Sequence, residues 1–314
     1  MLKRAPADAP FVARRVEMVI GASPFGASPG AAEEAARLLA DLGMEGRVHA
    51  PEPAEIANSL RRAAEAGPDV LAVLGGDADV RAAVQLCGAD GPAVAPLPGG
   101  PSNVLARALY GSCDWPDALR LALGRGRARL VDGGEIDGRV FLAAAVLGAP
   151  ALGPAASRPR RPRSAHWRAV RRALTGRLRF CLDSCERGKA EALALVGPLV
   201  SQGRGDGADG FEAVSLNAAG AARAFDLGLP AALEAVRSNA AERFDRPRGV
   251  KVWAAGHIPA LLDGEPVRLE HVAHACIRRQ AARLLMPPGR GDGERATARG
   301  EPPPFSNQAG TAAG

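Results

Sequence analysis

Two apolar strands that each run straight into a glycine turn and then a helix constrain the fold of this chain most. The first strand, residues 70–74, leads into Gly75-Gly76-Asp77, and the second, residues 93–97, leads into Pro98-Gly99-Gly100. A strand, a glycine turn and a helix in that order present backbone N–H groups to an anion. Since such turns fall at the carboxyl edge of a parallel sheet, two successive ones predict a double cradle for a polyphosphate.

The two halves of the chain differ in their hydrophobic pattern. Up to about residue 128, short apolar strands alternate with alanine-rich helices, which is typical of a parallel α/β sheet. The strands are predicted at 16–20, 70–74 and 93–97, and the helices at 30–42, 54–66 and 80–86. Beyond it the pattern is β-rich and predicts a sandwich-like domain, interrupted by a helical segment at 221–239. The predicted strands are 128–132, 139–142, 178–182, 192–196, 211–216, 249–253 and 267–270.

These patterns predict an N-terminal extension (1–14), an α/β domain (15–128), a β-rich domain (129–286) and a disordered tail (287–314). Hydrophobic residues make up 47% and charged residues 24%, which indicates a globular chain. Five irregularly spaced cysteines do not indicate a disulfide framework. No stretch has the pattern of a signal peptide or a membrane span, so we expect a cytoplasmic protein.

A third segment, Leu262-Asp263-Gly264-Glu265, allows two interpretations. Asp-Gly between apolar strands is a common hairpin turn. Alternatively, a carboxylate here faces a cleft between the domains, where a general base must lie within hydrogen-bond reach of a substrate hydroxyl.

Taken together, three motifs resemble the diacylglycerol kinase catalytic-domain family, which includes bacterial soluble lipid kinases and the sphingosine and ceramide kinases. The motifs are Gly75-Gly76-Asp77, Pro98-Gly99-Gly100-x-x-Asn103-x-Leu105-Ala106-Arg107 and Leu262-Asp263-Gly264-Glu265. Asp209-Gly210-Phe211-Glu212 is similar to a further family segment, and the resemblance covers residues 15–287. NAD kinases and phosphofructokinases share the Gly-Gly-Asp turn, but the second and third motifs favour the lipid kinases.

The resemblance implies an α/β nucleotide-binding domain followed by a β-sandwich domain, with the active-site cleft between them. It implies ATP and Mg²⁺ as cofactors and a lipid as the substrate. Glu265 would be the catalytic base, and Asp77 would act at the ATP phosphates and their Mg²⁺. Gly75, Gly76, Gly99, Gly100 and Asn103 would form the nucleotide site, and Asp209 with the Phe211 carbonyl would form a structural Mg²⁺ site.

The glycine turns depart from the family pattern at three positions. Ala78 and Asp79 replace Gly and Thr of the family's Gly-Gly-Asp-Gly-Thr, and Pro101 replaces a Thr and removes an N–H donor. At about 4 Å and an effective dielectric of about 20, the Asp79 carboxylate would repel a phosphate by roughly 4 kcal/mol. In the alternative interpretation, Asp79 simply caps the helix that follows. Ser102 or Asn103 is likewise available to cap the helix after the second turn.

The family motifs and the three departures from them together lead to two candidate functions. The first is ATP- and Mg²⁺-dependent phosphorylation of a lipid hydroxyl of the diacylglycerol type, at a low rate. The alternative is a catalytically impaired pseudo-kinase that binds lipid or nucleotide.

The stretch 158–172 contains seven arginines and Trp167, and either forms a solvated loop or docks on an anionic membrane surface. The second interpretation predicts a transient, peripheral location at the inner membrane face. We expect no nucleic-acid partner, because no aromatic-rich strand accompanies the net charge of +6. Nothing in the sequence indicates an oligomeric state.

Overall fold

The structure, a computed structural model, describes residues 13–21, 30–148, 178–183, 186–200, 210–217 and 240–287, together with single residues between 220 and 236. The stretch 158–172 lies outside the described residues, as do the predicted N-terminal extension (1–14) except for residues 13 and 14 and the predicted tail (287–314) except for residue 287. Most of the predicted helix 221–239 lies outside them too.

The first half of the chain forms a parallel sheet covered by helices, as the sequence predicts. Its four strands lie in the order β2-β1-β3-β4, and every neighbouring pair is parallel. Strand β3 is buried along its whole length, which explains its uninterrupted apolar sequence. The elements are β1 (Arg15–Ile20), α1 (Ala31–Asp41), β2 (Glu45–His49), α2 (Ile56–Glu65), β3 (Val70–Gly75), α3 (Asp77–Cys87), β4 (Ala93–Pro98), α4 (Val104–Tyr110) and α5 (Trp115–Arg125).

The second half is β-rich and supplies strands to two sheets. The strands are β5 (Arg127–Ile136), β6 (Arg139–Phe141), β7 (Ala144–Leu147), β8 (Leu178–Leu182), β9 (Arg187–Ala190), β10 (Ala192–Val196), β11 (Glu212–Leu216), β12 (Ala240–Phe244), β13 (Gly249–Trp253), β14 (Ile258–Leu262), β15 (Glu265–Leu269) and β16 (Val272–Met286). One sheet is antiparallel throughout, in the order β12-β11-β10-β7-β14-β15.

The other sheet continues the parallel sheet of the first half, in the order β2-β1-β3-β4-β16-β13-β8-β9, with β5 and β6 beside β16. Strand β16 makes this junction because it pairs antiparallel with β13 and β5 and parallel with β4, at Leu284 and Val94. One sheet therefore passes through both halves of the chain. The division at residues 128 and 129 stays a prediction.

An apolar core between the two sheets confirms the predicted sandwich. Phe141 stacks on Phe211 with ring centroids 5.7 Å apart, and Phe180 meets Phe244 edge to face at 5.2 Å. All four rings are buried. Aromatic pairs of this kind add about 0.5–1.5 kcal/mol each to the burial of their surface.

Several elements were not predicted, and β16 is the most consequential. Its first half alternates buried and exposed residues, as a half-buried strand does. A register shift between Arg278 and Ala282, with Gln280 at φ +49°, then interrupts the alternation. The periodicity breaks at this bulge, which hides a 15-residue strand from pattern analysis. The other elements missed are β2, β7, β9, β12, β14 and α5.

Helix α3 begins at Asp77, three residues earlier than predicted. Asp77, Ala78 and Asp79 therefore form the first helical turn rather than a loop before it. None of the helices in the described ranges has both the length and the apolar character that crossing a membrane requires.

Candidate active site at the glycine turns

The two glycine turns touch each other backbone to backbone. The Gly99 N–H donates to the Gly75 carbonyl at 3.1 Å. A Cβ at Gly99 would lie 2.7 Å from the Gly75 nitrogen, and one at Gly100 would lie 2.6 Å from the Gly76 Cα. These glycines are thus needed for the contact between the turns, whatever ligand the turns bind.

The Asp77 carboxylate holds the two turns together. It is buried and accepts hydrogen bonds from the Ser102 hydroxyl at 2.7 Å, the Val104 N–H at 3.1 Å and the Leu105 N–H at 2.9 Å. Asn103 is the N-cap residue of α4, one of the two positions expected, but its side chain does not accept from the helix, and the Asp77 carboxylate of α3 accepts the first helical N–H groups instead. The predicted action of Asp77 at Mg²⁺ stays a prediction.

Asn103 closes the second turn. Its side-chain oxygen accepts from the Gly100 N–H at 2.7 Å, and its amide nitrogen donates to the Gly100 carbonyl at 2.7 Å. Its backbone is left-handed, with φ +50°, a conformation that asparagine tolerates better than most residues. The structure brings Asn103 to the turn, and its contact with a nucleotide stays a prediction.

Replacing Asp77 with alanine is expected to lower the free energy of unfolding by about 2–4 kcal/mol. The substitution leaves the buried N–H groups at the start of α4 without an acceptor. Urea unfolding of the full chain measures the change. Asp117→Ala is the matched control, because Asp117 is exposed in the first turn of α5, bonded at 2.8 Å to the exposed Arg120. It should stay within about 0.5 kcal/mol of wild type, and equal losses in the two variants would contradict the role of Asp77.

The Asp79 side chain lies between Gly21, which follows β1, and Gly75, at the end of β3; we call this space the notch. Asp79 is the third residue of α3, and Gly76 rather than Asp79 is the N-cap residue. The Asp79 Oδ2 accepts from the Gly76 N–H at 3.1 Å, so its side chain does help to cap the helix, though from a position inside it. A Cβ at Gly21 would lie 2.7 Å from the same oxygen, and a Cβ at Gly75 would overlap it. Burial raises the pKa of the Asp79 carboxyl, while the bond from Gly76 opposes that rise.

These contacts decide how well the turns suit a phosphate. The N–H groups of Gly76, Gly99 and Gly100 all have acceptors within the protein, and Pro101 has no N–H. The N–H groups of Asp77 and Ala78, at the start of α3, find no acceptor among the described residues. A phosphate would fit these donors but would lie close to the Asp79 carboxylate. Carboxylate oxygens are ligands that Mg²⁺ accepts.

Asp263 fixes a hairpin between β14 and β15. Asp263 and Gly264 both have positive φ, of 47° and 83°, as a type I′ turn requires. The carboxylate is 1% exposed and accepts from three consecutive backbone N–H groups, those of residues 142–144, at 2.7, 2.8 and 3.0 Å. The hairpin interpretation of this motif therefore describes the backbone, and the Asp263 side chain holds the turn onto β7.

Burial raises the pKa of Asp263 to about 6, against the three hydrogen bonds and with the help of the Asp77 charge. Because the folded state holds this proton more tightly than the unfolded state, the contribution of Asp263 to stability should fall as pH rises from about 4 to about 6 and stay level above. The difference in unfolding free energy between wild type and Asp263→Asn should therefore shrink by about 3 kcal/mol over that window. Urea unfolding at several pH values measures it, and a constant difference would contradict the assignment.

Glu265, the predicted base, forms an ion pair with Arg81 of α3. The Glu265 side chain is 40% exposed, whereas that of Arg81 is 12% exposed. Asp77, Arg81 and Gln85 are spaced four residues apart and lie on one side of α3. Gln85 continues this polar stripe by donating to the Gly138 carbonyl at 3.2 Å and accepting from the Val140 N–H at 3.0 Å.

Arg81 connects Glu265 to the helix that starts at the first glycine turn, whereas Gln85 bonds only the β5–β6 hairpin. Sequence analysis missed Arg81 and Gln85. Their spacing from Asp77 was the available signal, but it does not reveal which elements pack against that side of the helix.

The predicted structural Mg²⁺ site cannot be assembled from the described residues, because Asp209 lies outside them. Phe211 is buried in the sandwich core, and its N–H donates to the Pro247 carbonyl at 2.8 Å. The predicted ligation by Asp209 and Phe211 stays a prediction.

Comparison with known proteins agrees with this geometry. Residues 22–136 match the family model of the diacylglycerol kinase catalytic domain, which confirms the resemblance drawn from the motifs. The match includes both glycine turns and the whole of α3. This part of the chain, just over a third of its length, is thus similar in sequence to the catalytic domain of diacylglycerol kinases.

Solved structures extend the likeness to most of the chain. A candidate diacylglycerol kinase from Bacillus anthracis str. Sterne superposes with a TM-score of 0.64 at 16% identity, covering 88% of this chain and 98% of that one. A diacylglycerol kinase from the same organism gives 0.62 at 14% identity, with the same coverage. At these identities the likeness establishes the fold alone. No curated protein matches the sequence.

Proposed function

We propose that this protein is a lipid kinase that transfers the γ-phosphoryl group of ATP to the hydroxyl of a diacylglycerol-type lipid. One observation carries the proposal. The Glu265 carboxylate is paired with α3, the helix whose first turn contains the glycine-turn residues Asp77 and Asp79. A base and a phosphate-binding turn joined through one helix can serve a single transfer.

The reaction needs little covalent chemistry from the protein. Glu265 accepts the proton of the lipid hydroxyl while the hydroxyl oxygen forms a bond to the γ-phosphorus. The bond between the γ-phosphorus and the β,γ-bridging oxygen breaks, and ADP leaves with that oxygen. Mg²⁺, when bound with ATP, neutralises charge on the phosphates. The helix α3 N-terminus orients the phosphates, and the solvent-exposed part of Glu265 leaves the base open to a substrate.

A second function, a pseudo-kinase that binds lipid or nucleotide without turnover, is favoured by Asp79. Its carboxylate already accepts the Gly76 N–H and fills the notch at the first turn. We therefore expect weak ATP binding in the wild-type protein. If the wild-type protein binds no ATP at all, lipid binding is the function that is left.

The proposed kinase has to bind its substrate at a membrane surface, because a long-chain diacylglycerol is dissolved in the bilayer. We propose transient, peripheral binding to an anionic leaflet at the inner membrane face, with 158–172 as its basic segment. Each basic residue near such a surface contributes about 1 kcal/mol.

The experiment is phosphate transfer in mixed micelles that contain diacylglycerol. The full chain is incubated with γ-labelled ATP and Mg²⁺ at millimolar concentration, and the lipid fraction is separated and counted. We expect a labelled phosphomonoester of the lipid that disappears when EDTA is added. Absence of labelled lipid, in a protein that binds ATP under the same conditions, would favour the pseudo-kinase.

A further inference from the structure

The Arg81 guanidinium carries more hydrogen-bond donors than the protein uses. A guanidinium offers five N–H donors, and a single side-chain contact, to Glu265, is made among the described residues. Its Nε is buried and has no partner within that part of the chain. Since an unpaired buried N–H costs free energy, such a side chain suggests that an acceptor arrives with a ligand.

The positive charge of Arg81 is only partly balanced by the carboxylates near it, so a bound anion would be stabilised there. Burial lowers the pKa of Arg81, the nearby Asp263 opposes this, and Arg139 adds to it. Asp263 is occupied by its three backbone donors. The remaining anion, Glu265, is 40% exposed and pairs with Arg81.

Arg81 also lies in the right place along α3. It follows Asp77 by four residues, or about 6 Å along the helix axis. Asp77 accepts hydrogen bonds from the residues that follow the second glycine turn, and the Arg81 side chain forms an ion pair with Glu265. Arg81 thus lies between the turns, where phosphates are proposed to bind, and the proposed base.

We propose that Arg81 binds the phosphoryl group that is transferred, exchanging its contact with Glu265 for the phosphate oxygens when the substrate binds. This inference rests on the proposed function. Arginine suits the task because its planar donors match a phosphate and its charge offsets that of a phosphoryl group. The ligand chemistry is a terminal phosphate monoester, carried either by ATP or by the phosphorylated lipid.

The ion pair between Arg81 of α3 and Glu265 of β15 could instead be a purely structural contact, called a strut below. Substitutions at Gln85 separate this structural role from phosphoryl binding. Gln85 is on the same stripe of α3 and bonds the β5–β6 hairpin without any charge. A strut predicts that Arg81→Gln and Gln85→Ala lower stability with no ligand selectivity. Phosphoryl binding predicts selectivity in Arg81→Gln alone, and a smaller loss in Arg81→Lys, which retains the charge.

The test is calorimetric titration of the full chain with Mg-ATP, Mg-ADP and a water-soluble short-chain phosphatidic acid. Arg81→Gln should weaken ATP binding about 10- to 100-fold and ADP binding less than threefold, while Gln85→Ala changes neither. A selective loss of phosphatidic acid binding would instead identify the lipid phosphate as the source, which also supports the proposal. Equal losses for ATP and ADP, or no loss for any ligand, would overturn it.

Failure of the proposed function would look different. A wild-type protein that binds neither ATP nor ADP contradicts the kinase, and the phosphatidic acid titration then still decides the role of Arg81. If wild type binds none of the three ligands, the inference falls together with the proposed function.

Discussion

Replacing Glu265 with glutamine is expected to lower the rate of lipid phosphorylation about 10²- to 10⁴-fold, the usual contribution of a general base. Glutamine has nearly the same shape but cannot accept the hydroxyl proton. Because the substitution also releases Arg81 from its ion pair, affinity for ATP should be unchanged or higher. Initial rates in mixed micelles and calorimetric titration of ATP measure the two effects separately.

Glu270→Gln is the matched control for this substitution. Glu270 is an exposed glutamate directly after β15. Its replacement by glutamine removes the same charge as Glu265→Gln, but outside the proposed site. Its rate should stay within about twofold of wild type, as surface substitutions usually do. A Glu265→Gln protein with wild-type turnover would exclude Glu265 as the base and would leave the ion pair with Arg81 as a purely structural contact.

Replacing Asp79 with threonine or asparagine is expected to raise ATP affinity by about two to three orders of magnitude. The estimate follows from a repulsion of roughly 4 kcal/mol between unit charges about 4 Å apart at an effective dielectric of about 20. Asparagine retains an oxygen that can accept from the Gly76 N–H, so it removes the charge with little change in shape. Threonine additionally opens the notch that the carboxylate fills against Gly21 and Gly75. Calorimetry with Mg-ATP measures both.

Asp90→Asn supplies the control for net charge alone. Asp90 is exposed beyond the C-terminal end of α3, at the opposite end of the helix from the turns. Its effect on ATP affinity should be less than about twofold at physiological salt, because solvent and ions screen such distances. If Asp79→Asn and Asp90→Asn behave alike, the Asp79 carboxylate does not oppose phosphate binding.

The sequence predicted the fold well wherever one periodicity runs unbroken. Strands β3 and β4 and the helix between them follow from apolar runs that lead into glycine turns, and the sandwich follows from repeated short strands. The link between the halves did not follow. Strand β16 alternates buried and exposed residues only before the bulge near Gln280, and beyond it residues on both faces are buried, so its sequence has no single periodicity.

At the site, the sequence identified which residues matter more readily than what each one touches. The glycine turns and Glu265 were found from motifs, and the structure links them through α3. The roles of Asp77 and Asp263 differ from what residue type suggests, because both carboxylates accept backbone N–H groups from segments distant in sequence. Such partners depend on tertiary packing. Arg81 was missed for the same reason.

The most direct measurement of the central claim is a crystal structure of the Asp79→Thr protein with Mg²⁺ and a non-hydrolysable ATP analogue. We expect the phosphates at the N-terminus of α3, between the turns at 75–77 and 99–103, with the terminal phosphate within hydrogen-bond distance of Arg81. A nucleotide bound away from both turns would contradict it.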